Sequence, residues 1–394
     1  MNSHYENDIC ISGVGIVSAF GDTFDDFIRG INNNKSKFTY FADEHILKNI
    51  QIPVFKAPFL AESEYPETRI LSMGNKAIRD AIKDRNSERL PSVDRICLIV
   101  GSGMGSVDQY YYDENKSNDP NCFCFLADRL SEITELNCDA VFIGNACAAG
   151  SQGISYGMDL LRSERYDLVI AGGIDILSQA AYAGFLRLNA IDLDGCNPFD
   201  KRRKGIAIGE GAVFYAMERR SCIEPNRNTY CSLPGSGVTC DAYHIVQMNP
   251  DGNEAIRAMD QALTYSGLLK KNVDMIVAHG TGTTQNDKIE SLMINRFFED
   301  HSNQIYITAP KGSIGHTGGA SGAFGVLVAI GAIITDIIPP ICNLEEPDSE
   351  CNISLVSECG FKHEVKLVMV NAFAFGGINV VILCKKEELN KNRV

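Results

Sequence analysis

Positive charge is scarce in this sequence: 36 lysines and arginines stand against 50 aspartates and glutamates, a formal charge of −14. General nucleic-acid binding needs a basic face and is excluded, although a local basic patch could still recruit an acidic partner. The first residues, MNSHYENDICISGVG, have no basic segment leading into an apolar run, so no secretory leader is expected. Long hydrophobic runs are also missing. The longest, Ala320 to Thr335, is rich in small residues and too short to cross a bilayer. These absences predict a cytoplasmic protein without a membrane span.

Cysteine is plentiful, with 14 residues, but the spacings that would give it a structural use are missing. There is no Cys-x-x-Cys and no His-x-x-x-His, and Cys122 and Cys124 are separated by one residue. The thiols are scattered through apolar stretches such as Arg95-Ile-Cys-Leu-Ile-Val100, which predicts buried free thiols and no metal site. Phosphate loops are absent as well: neither GSGMG nor GGASG is followed by Gly-Lys-Ser/Thr. Those glycines read instead as room for close backbone approach.

The 394 residues, 45% of them hydrophobic, are enough for a large core in two domains or one duplicated one. Apolar runs ending in glycine-rich turns recur at Ile9–Val17, Arg95–Gly101, Ala140–Gly144, Asp167–Gly173 and Ala212–Met217. Helix-like segments at Ser72–Lys83 and Gly150–Arg165 alternate with them, implying a buried mixed or parallel sheet.

The second half repeats the plan of the first. Arg95–Gly105 corresponds in pattern to Val273–Thr283, Val141–Gly150 to Ile305–His316, and Gly209–Met217 to Phe375–Leu383. A polar segment around Pro225 separates the repeats, giving an N-terminal half, residues 1–225, and a C-terminal half, residues 226–394. Such a duplication would set the loops of both halves around one cleft.

Cys147 lies in Gly144-Asn-Ala-Cys-Ala-Ala-Gly-Ser151, between an apolar strand and the start of a helix. A helix N-terminus stabilises a thiolate and can bind an oxyanion, and the small neighbours leave an approach to the sulfur open. A lone thiol is ordinarily inert, so its meaning depends on partners. His279 in AHGTGT and His316 in KGSIGHTGG follow apolar strands into glycine-rich loops of the second half. Neutral imidazoles there would hydrogen-bond a carbonyl oxygen as it gains charge. Lys311 stands five residues before His316 and could set the local potential. Asp287 and Glu290, three apart after HGTGT, share a helix face and could orient that loop. Lys201-Arg202-Arg203-Lys204 interrupts the acidic chain with four positive charges and is a candidate docking patch for an acidic protein.

With NACAAG, AHGTGT, KGSIGH and the ending NAFAFGGIN in this order, the chain resembles the β-ketoacyl-acyl-carrier-protein synthases of the decarboxylating Cys-His-His branch. The resemblance runs from Ile9 to Leu383. It implies an α/β fold, the thiolase-like duplicated αβαβα five-layer sandwich, as a homodimer or as a heterodimer with a related subunit. It also implies a ketosynthase of fatty-acid or type II polyketide biosynthesis. Cys147 would take an acyl group from the phosphopantetheine arm of an acyl carrier protein, with no other cofactor. His279 and His316 would hold the thioester oxygen of malonyl-carrier protein during decarboxylation, and Lys311 matches the family's lysine. Phe375 matches the gating phenylalanine, the Phe375 and Gly376 backbone lies by the oxyanion hole, Met104 borders the acyl pocket, and Asn379 completes the GG-x-N ending.

The sequence departs from the family at Ile378, where threonine is common, and at Asn145, where threonine or serine is commoner. The span from Gly105 to Cys147 is also short and contains DQYYYDENKSNDPNCFCF, in the region that borders the dimer contact and acyl tunnel in the family. Two other functions stand beside condensation: a Cys-dependent acyltransferase or thioesterase on the same fold, and a subunit active only beside a non-catalytic partner.

Overall fold

The computed structural model describes residues 8–42, 50–58, 66–105 apart from 86, 88 and 89, residue 107, and residues 125–357 and 359–387. The segment DQYYYDENKSNDPNCFC, with Cys122 and Cys124, lies outside the described residues.

The five strands of the first half run Asp139–Ile143, Ile96–Gly101, Leu168–Asp175, Gly211–Arg219, Ile9–Val17 across the sheet. Numbered within the half, the order is 3-2-4-5-1. The first two pairings are parallel and the last two antiparallel. The second half gives Tyr306–Thr308, Met275–Val277, Leu367–Ala374, Ile378–Lys385, Ser236–Cys240, again 3-2-4-5-1. Its pairings are parallel, parallel, antiparallel and antiparallel, so topology as well as pattern is duplicated. The short strand Cys231–Leu233 pairs with both Ile9–Val17 and Ile378–Lys385 and joins the two sets.

Alternation along the strands sends side chains to three separate helix layers. Cys97 and Ile99 face the middle of the molecule, where helices Ala149–Arg162 and Ser321–Thr335 lie between the sheets. Ile96, Leu98 and Val100 face outward onto helices Pro66–Asp84 and Phe125–Ile133. In the second half Met369, Val381 and Leu383 face outward onto Asn253–Ser266 and Thr284–Phe298. The layers are therefore helix, sheet, helix, sheet, helix. Helices expected at Ser72–Lys83 and Gly150–Arg165 fall within Pro66–Asp84 and over Ala149–Arg162. The apolar run ending at Thr335 is a core helix, and the stretch Gly318–Thr335 is 83% buried. Eight of the twelve described cysteines are buried, all twelve as free thiols.

The repeat extends to atomic contacts. A Cβ built on Gly13 or Gly15 would fall 2.1 Å from the Ala81 carbonyl oxygen and 1.8 Å from that of Ala77. In the equivalent strand, a Cβ on Gly235 or Gly237 would fall 2.2 Å from the Ala262 carbonyl oxygen and 2.0 Å from that of Ala258. Each half thus lays a helix directly on a Gly-x-Gly strand, where no larger residue fits.

Candidate active site

Cys147 sits in the 3-10 turn Ala146–Ala148, just before helix Ala149–Arg162. Ala146 has φ +45°, a left-handed conformation that is strained for a residue with a Cβ and turns the chain sharply at the nucleophile. The helix behind it presses on its neighbours through glycine: a Cβ on Gly150 would lie 2.8 Å from the Gly319 carbonyl oxygen. Cys147 is 7% exposed.

The expectation that the helix start would favour a thiolate is overturned by burial. Desolvation pushes the Cys147 thiol up to about 11, although the Lys311 ammonium and the backbone N–H groups of Cys147 and Phe375 act in the opposite direction. Those two N–H groups face the sulfur and form a pair of donors for an oxyanion. The Gly376 N–H does not join them, because it donates to the Ile245 carbonyl at 2.8 Å.

His279 and His316 are both buried, with ring centroids 6.0 Å apart and planes at 89°. The His316 Nδ1 accepts the Gly318 N–H at 3.1 Å, which leaves the proton of a neutral ring on Nε2. Lys311 donates to the His279 carbonyl, and its Nζ lies 3.4 Å from the His279 Nδ1. The same tautomer follows for His279, since an ammonium can only donate. Burial, reinforced by Lys311, holds His316 down at about 3, and burial with Lys311 and His316 holds His279 well below the usual imidazole range. Both rings are neutral donors at any physiological pH. Burial also draws Lys311 below the usual lysine value, against the pull of Cys147 and Glu290.

Asp287 and Glu290 do orient the His279 loop. Glu290 accepts the N–H groups of His279 at 2.8 Å and Gly280 at 2.9 Å, and Asp287 accepts those of Thr281 at 3.0 Å and Gly282 at 3.3 Å. Both carboxyls are fully buried; desolvation raises Asp287 and carries Glu290 to about 7.

Two cavities meet at Cys147, and His316 and Phe375 border both. One, of about 300 Å³, is bounded by Met104, Ile176, Ala181, Phe185 and Leu188. The other, of about 430 Å³, is more polar and takes in His279, Thr281, Thr283, Asn286, Lys204 and Asn379. The Phe375 ring stands 5.8 Å from that of Phe185, between the two spaces. Asn379 is buried, and its amide holds Asp241 at 2.7 Å, so it braces the loop above the second cavity.

The basic run differs from the expected exposed patch. Arg203 is 5% exposed and pairs with Asp348, its Nε lying 3.8 Å from Asp287, so it belongs to the interior that supports the His279 loop. Lys201, Arg202 and Lys204 reach solvent, each against a carboxylate: Glu346, Asp200 with Glu345, and Asp194.

One residue of the site escaped sequence reasoning. The carboxylate of Asp175 is fully buried and accepts from the Ser102 hydroxyl at 2.6 Å, the Gly103 and Met104 N–H groups at 2.8 and 3.1 Å, and the Gly319 N–H at 2.5 Å. It ties the loops of both halves together beneath Cys147. Its sequence signal was an acid closing the apolar strand LVIAGGID.

Models of the β-ketoacyl synthase N-terminal and C-terminal domains match residues 67–222 and 230–345. A curated relative, 3-oxoacyl-[acyl-carrier-protein] synthase 2 of Synechocystis, is 31% identical over 96% of this chain and 98% of its own length. Among solved structures, a β-ketoacyl synthase from Burkholderia phymatum is 25% identical, with a TM-score of 0.88 over 97% of this chain and all of the other. The ishigamide ketosynthase/chain length factor is 28% identical, with a TM-score of 0.86 over 97% and 100%.

Proposed function

Given that the chain belongs to the β-ketoacyl synthase family, which makes it a ketosynthase-type acyltransferase of fatty-acid or polyketide biosynthesis, we propose that Cys147 is the acylated nucleophile. The Cys147 sulfur displaces the pantetheine thiol of an acyl carrier protein, and the N–H groups of Cys147 and Phe375 take the oxyanion. The malonyl thioester then enters the polar cavity, where the Nε2–H groups of His279 and His316 hold its oxygen. Carbon dioxide leaves, and the enolate carbon attacks the acyl-cysteine carbonyl. A carbon–carbon bond forms, the bond to sulfur breaks, and the β-ketoacyl product stays on the carrier.

The observation that carries this reading is the pair of buried neutral imidazoles, each with Nδ1 engaged, beside the thiol. Acyl transfer or hydrolysis alone does not need a second pair of donors beyond the N–H groups of Cys147 and Phe375. The reaction as proposed needs no cofactor beyond the carrier's phosphopantetheine arm. Lys311 keeps the His279 ring oriented and biases the thiol downward. Division of the chain into halves 1–225 and 226–394 belongs to the same proposal, supported by the recurring strand order.

For partners we propose an acyl carrier protein docking near Lys201, Arg202 and Lys204, of which Lys204 borders the polar cavity. A second subunit is proposed at the edge strand Asp139–Ile143, which among the described residues pairs only with Ile96–Gly101. Either a copy of this chain or a related subunit would serve; with Cys147 present, this chain is the active member. A cytoplasmic location is part of the proposal.

Intact-mass spectrometry with acyl-carrier protein and then malonyl-carrier protein tests the reading. An acyl adduct that converts to β-ketoacyl product on the carrier is expected. An adduct that forms and yields no condensation product would overturn it.

A further inference from the structure

We infer that the apolar cavity beside Cys147 is built for a hydrocarbon acyl chain, saturated or conjugated, and rejects chains bearing carbonyls beyond the thioester. This rests on the ketosynthase reading above and names the substrate class of that site. A poly-β-keto chain carries a carbonyl on every second carbon. Each one, buried without a donor, would lose its hydrogen bonds to water and gain none in return.

Among the described residues, the following polar groups on the cavity wall are already committed. The Gly103 and Met104 N–H groups donate to Asp175. The Gly209 N–H donates to the His316 carbonyl at 2.9 Å, and the Gly318 N–H to the His316 Nδ1. The Leu188 N–H closes its helix on the Gly184 carbonyl at 3.1 Å, and the Ala181 N–H is capped by Ser178 at 3.3 Å. The carboxylate of Asp175, itself on the wall, only accepts, and its four donors occupy it. The two donors at the sulfur serve the thioester carbonyl, and the imidazoles serve the incoming malonyl group. A carbonyl deeper along the chain would meet Ile176, Ala180, Ala181, Phe185 and Leu188.

Gly184 sharpens the point. It sits inside helix Gln179–Arg187, where glycine costs roughly 1 kcal/mol relative to alanine. A Cβ there would meet nothing within 4 Å, and the backbone has no left-handed angle to require glycine. Neither packing nor conformation explains the residue. It borders the cavity, and keeping that wall bare leaves room for the chain.

The test is competitive acylation of the full-length protein with octanoyl-carrier protein and 7-oxooctanoyl-carrier protein at equal concentration, read by intact mass. In each case the Cys147 sulfur forms a bond to the acyl carbon, the carbon–sulfur bond to pantetheine breaks, and the pantetheine thiol leaves with the proton. We expect the octanoyl adduct to exceed the 7-oxooctanoyl adduct at least ten-fold. Equal labelling, or preference for the 7-oxo chain, overturns the inference and leaves the ketosynthase reading intact. Labelling by neither chain overturns the ketosynthase reading and the inference with it. In a second arm, Gly184→Leu should lower the ratio of octanoyl to acetyl adduct at least five-fold, with helix content checked by circular dichroism. An unchanged ratio in the folded variant removes Gly184 from the wall of the chain's path.

Discussion

In the first half of the molecule the strand ends carry one thiol among small residues and one buried carboxylate, Asp175; in the second, the equivalent region carries two imidazoles and an ammonium, with two carboxylates on the helix that follows. The scaffold beneath them is the same, down to the Gly-x-Gly strands pressed onto alanine-faced helices. Duplication therefore supplied two loop platforms facing one cleft, and the chemistry divided between them. In the proposed mechanism the nucleophile of the acyl bond comes from one platform, with the Phe375 N–H reaching it from the other, and both donors for the enolate come from the second.

Cys147→Ala should break the comparison most completely. The acyl adduct should vanish, while decarboxylation of malonyl-carrier protein continues on the untouched second platform, as followed by carbon dioxide release. Loss of both activities together would mean that the platforms do not act separately. The converse variant is His316→Ala. Removing one preorganised donor should slow decarboxylation by roughly 10² to 10³-fold. Adduct formation, read by mass, should fall far less.

The scaffold can be tested in parallel. Gly15→Ala and Gly237→Ala each force a methyl group onto a helix carbonyl in equivalent places. Each should lower stability by about 1–3 kcal/mol, read from the urea midpoint, as overpacking does. A large loss in one and none in the other would show the halves to be mechanically unequal. Smaller still is the docking effect: Lys204→Ala should raise KM for the carrier protein a few-fold and leave kcat unchanged, with kcat/KM becoming less sensitive to salt.

The last prediction is a flat line. An ordinary histidine would protonate as pH falls through about 6.5. Burial holds His316 at about 3 and His279 well below its usual value, so both remain neutral through mildly acidic conditions. In Glu290→Gln protein, which lacks the carboxyl that burial carries to about 7, decarboxylation should be constant from about pH 8 to 5.5, above the point where either ring charges. A half-loss near pH 6.5 in that folded variant would show at least one ring to be solvated.

Much of this was legible because the informative residues follow local rules. Strand, glycine turn and helix recur at matched spacing, so Val141–Gly150 and Ile305–His316 could be paired before their positions were seen. The thiol and both imidazoles sit in those turns, and the structure brings them together. Where reasoning from sequence stopped short, contact across the chain decides. Asp175 ends a strand like many solvated acids, and only the arrival of Gly319 from the other half shows what it holds. Arg203 lies in a run of four cations that looks solvated, yet the fold buries it against Asp348. The thiol's acidity was misjudged because helix position is a local property and desolvation is not. The Gly13-x-Gly15 and Gly235-x-Gly237 pair, visible once the strands are superposed, is too short a pattern to notice alone.

The seam between the halves combines close backbone contacts with a few side-chain joints, among them the Asp175 carboxylate and the stacked rings of Phe27 and Phe324. A Cβ on Gly173 would lie 2.8 Å from the Gly319 carbonyl oxygen, and one on Gly322 would strike the Ser151 hydroxyl. None of these contacts involves the sulfur, the imidazoles or the lysine. A gene copy that lost its cysteine would therefore keep its shape, its loops and its edge strand. Such a copy could persist as a silent companion whose only remaining task is to mould the space beside an active twin. An architecture whose joints ignore its reagents allows inheritance to discard the chemistry and retain the form.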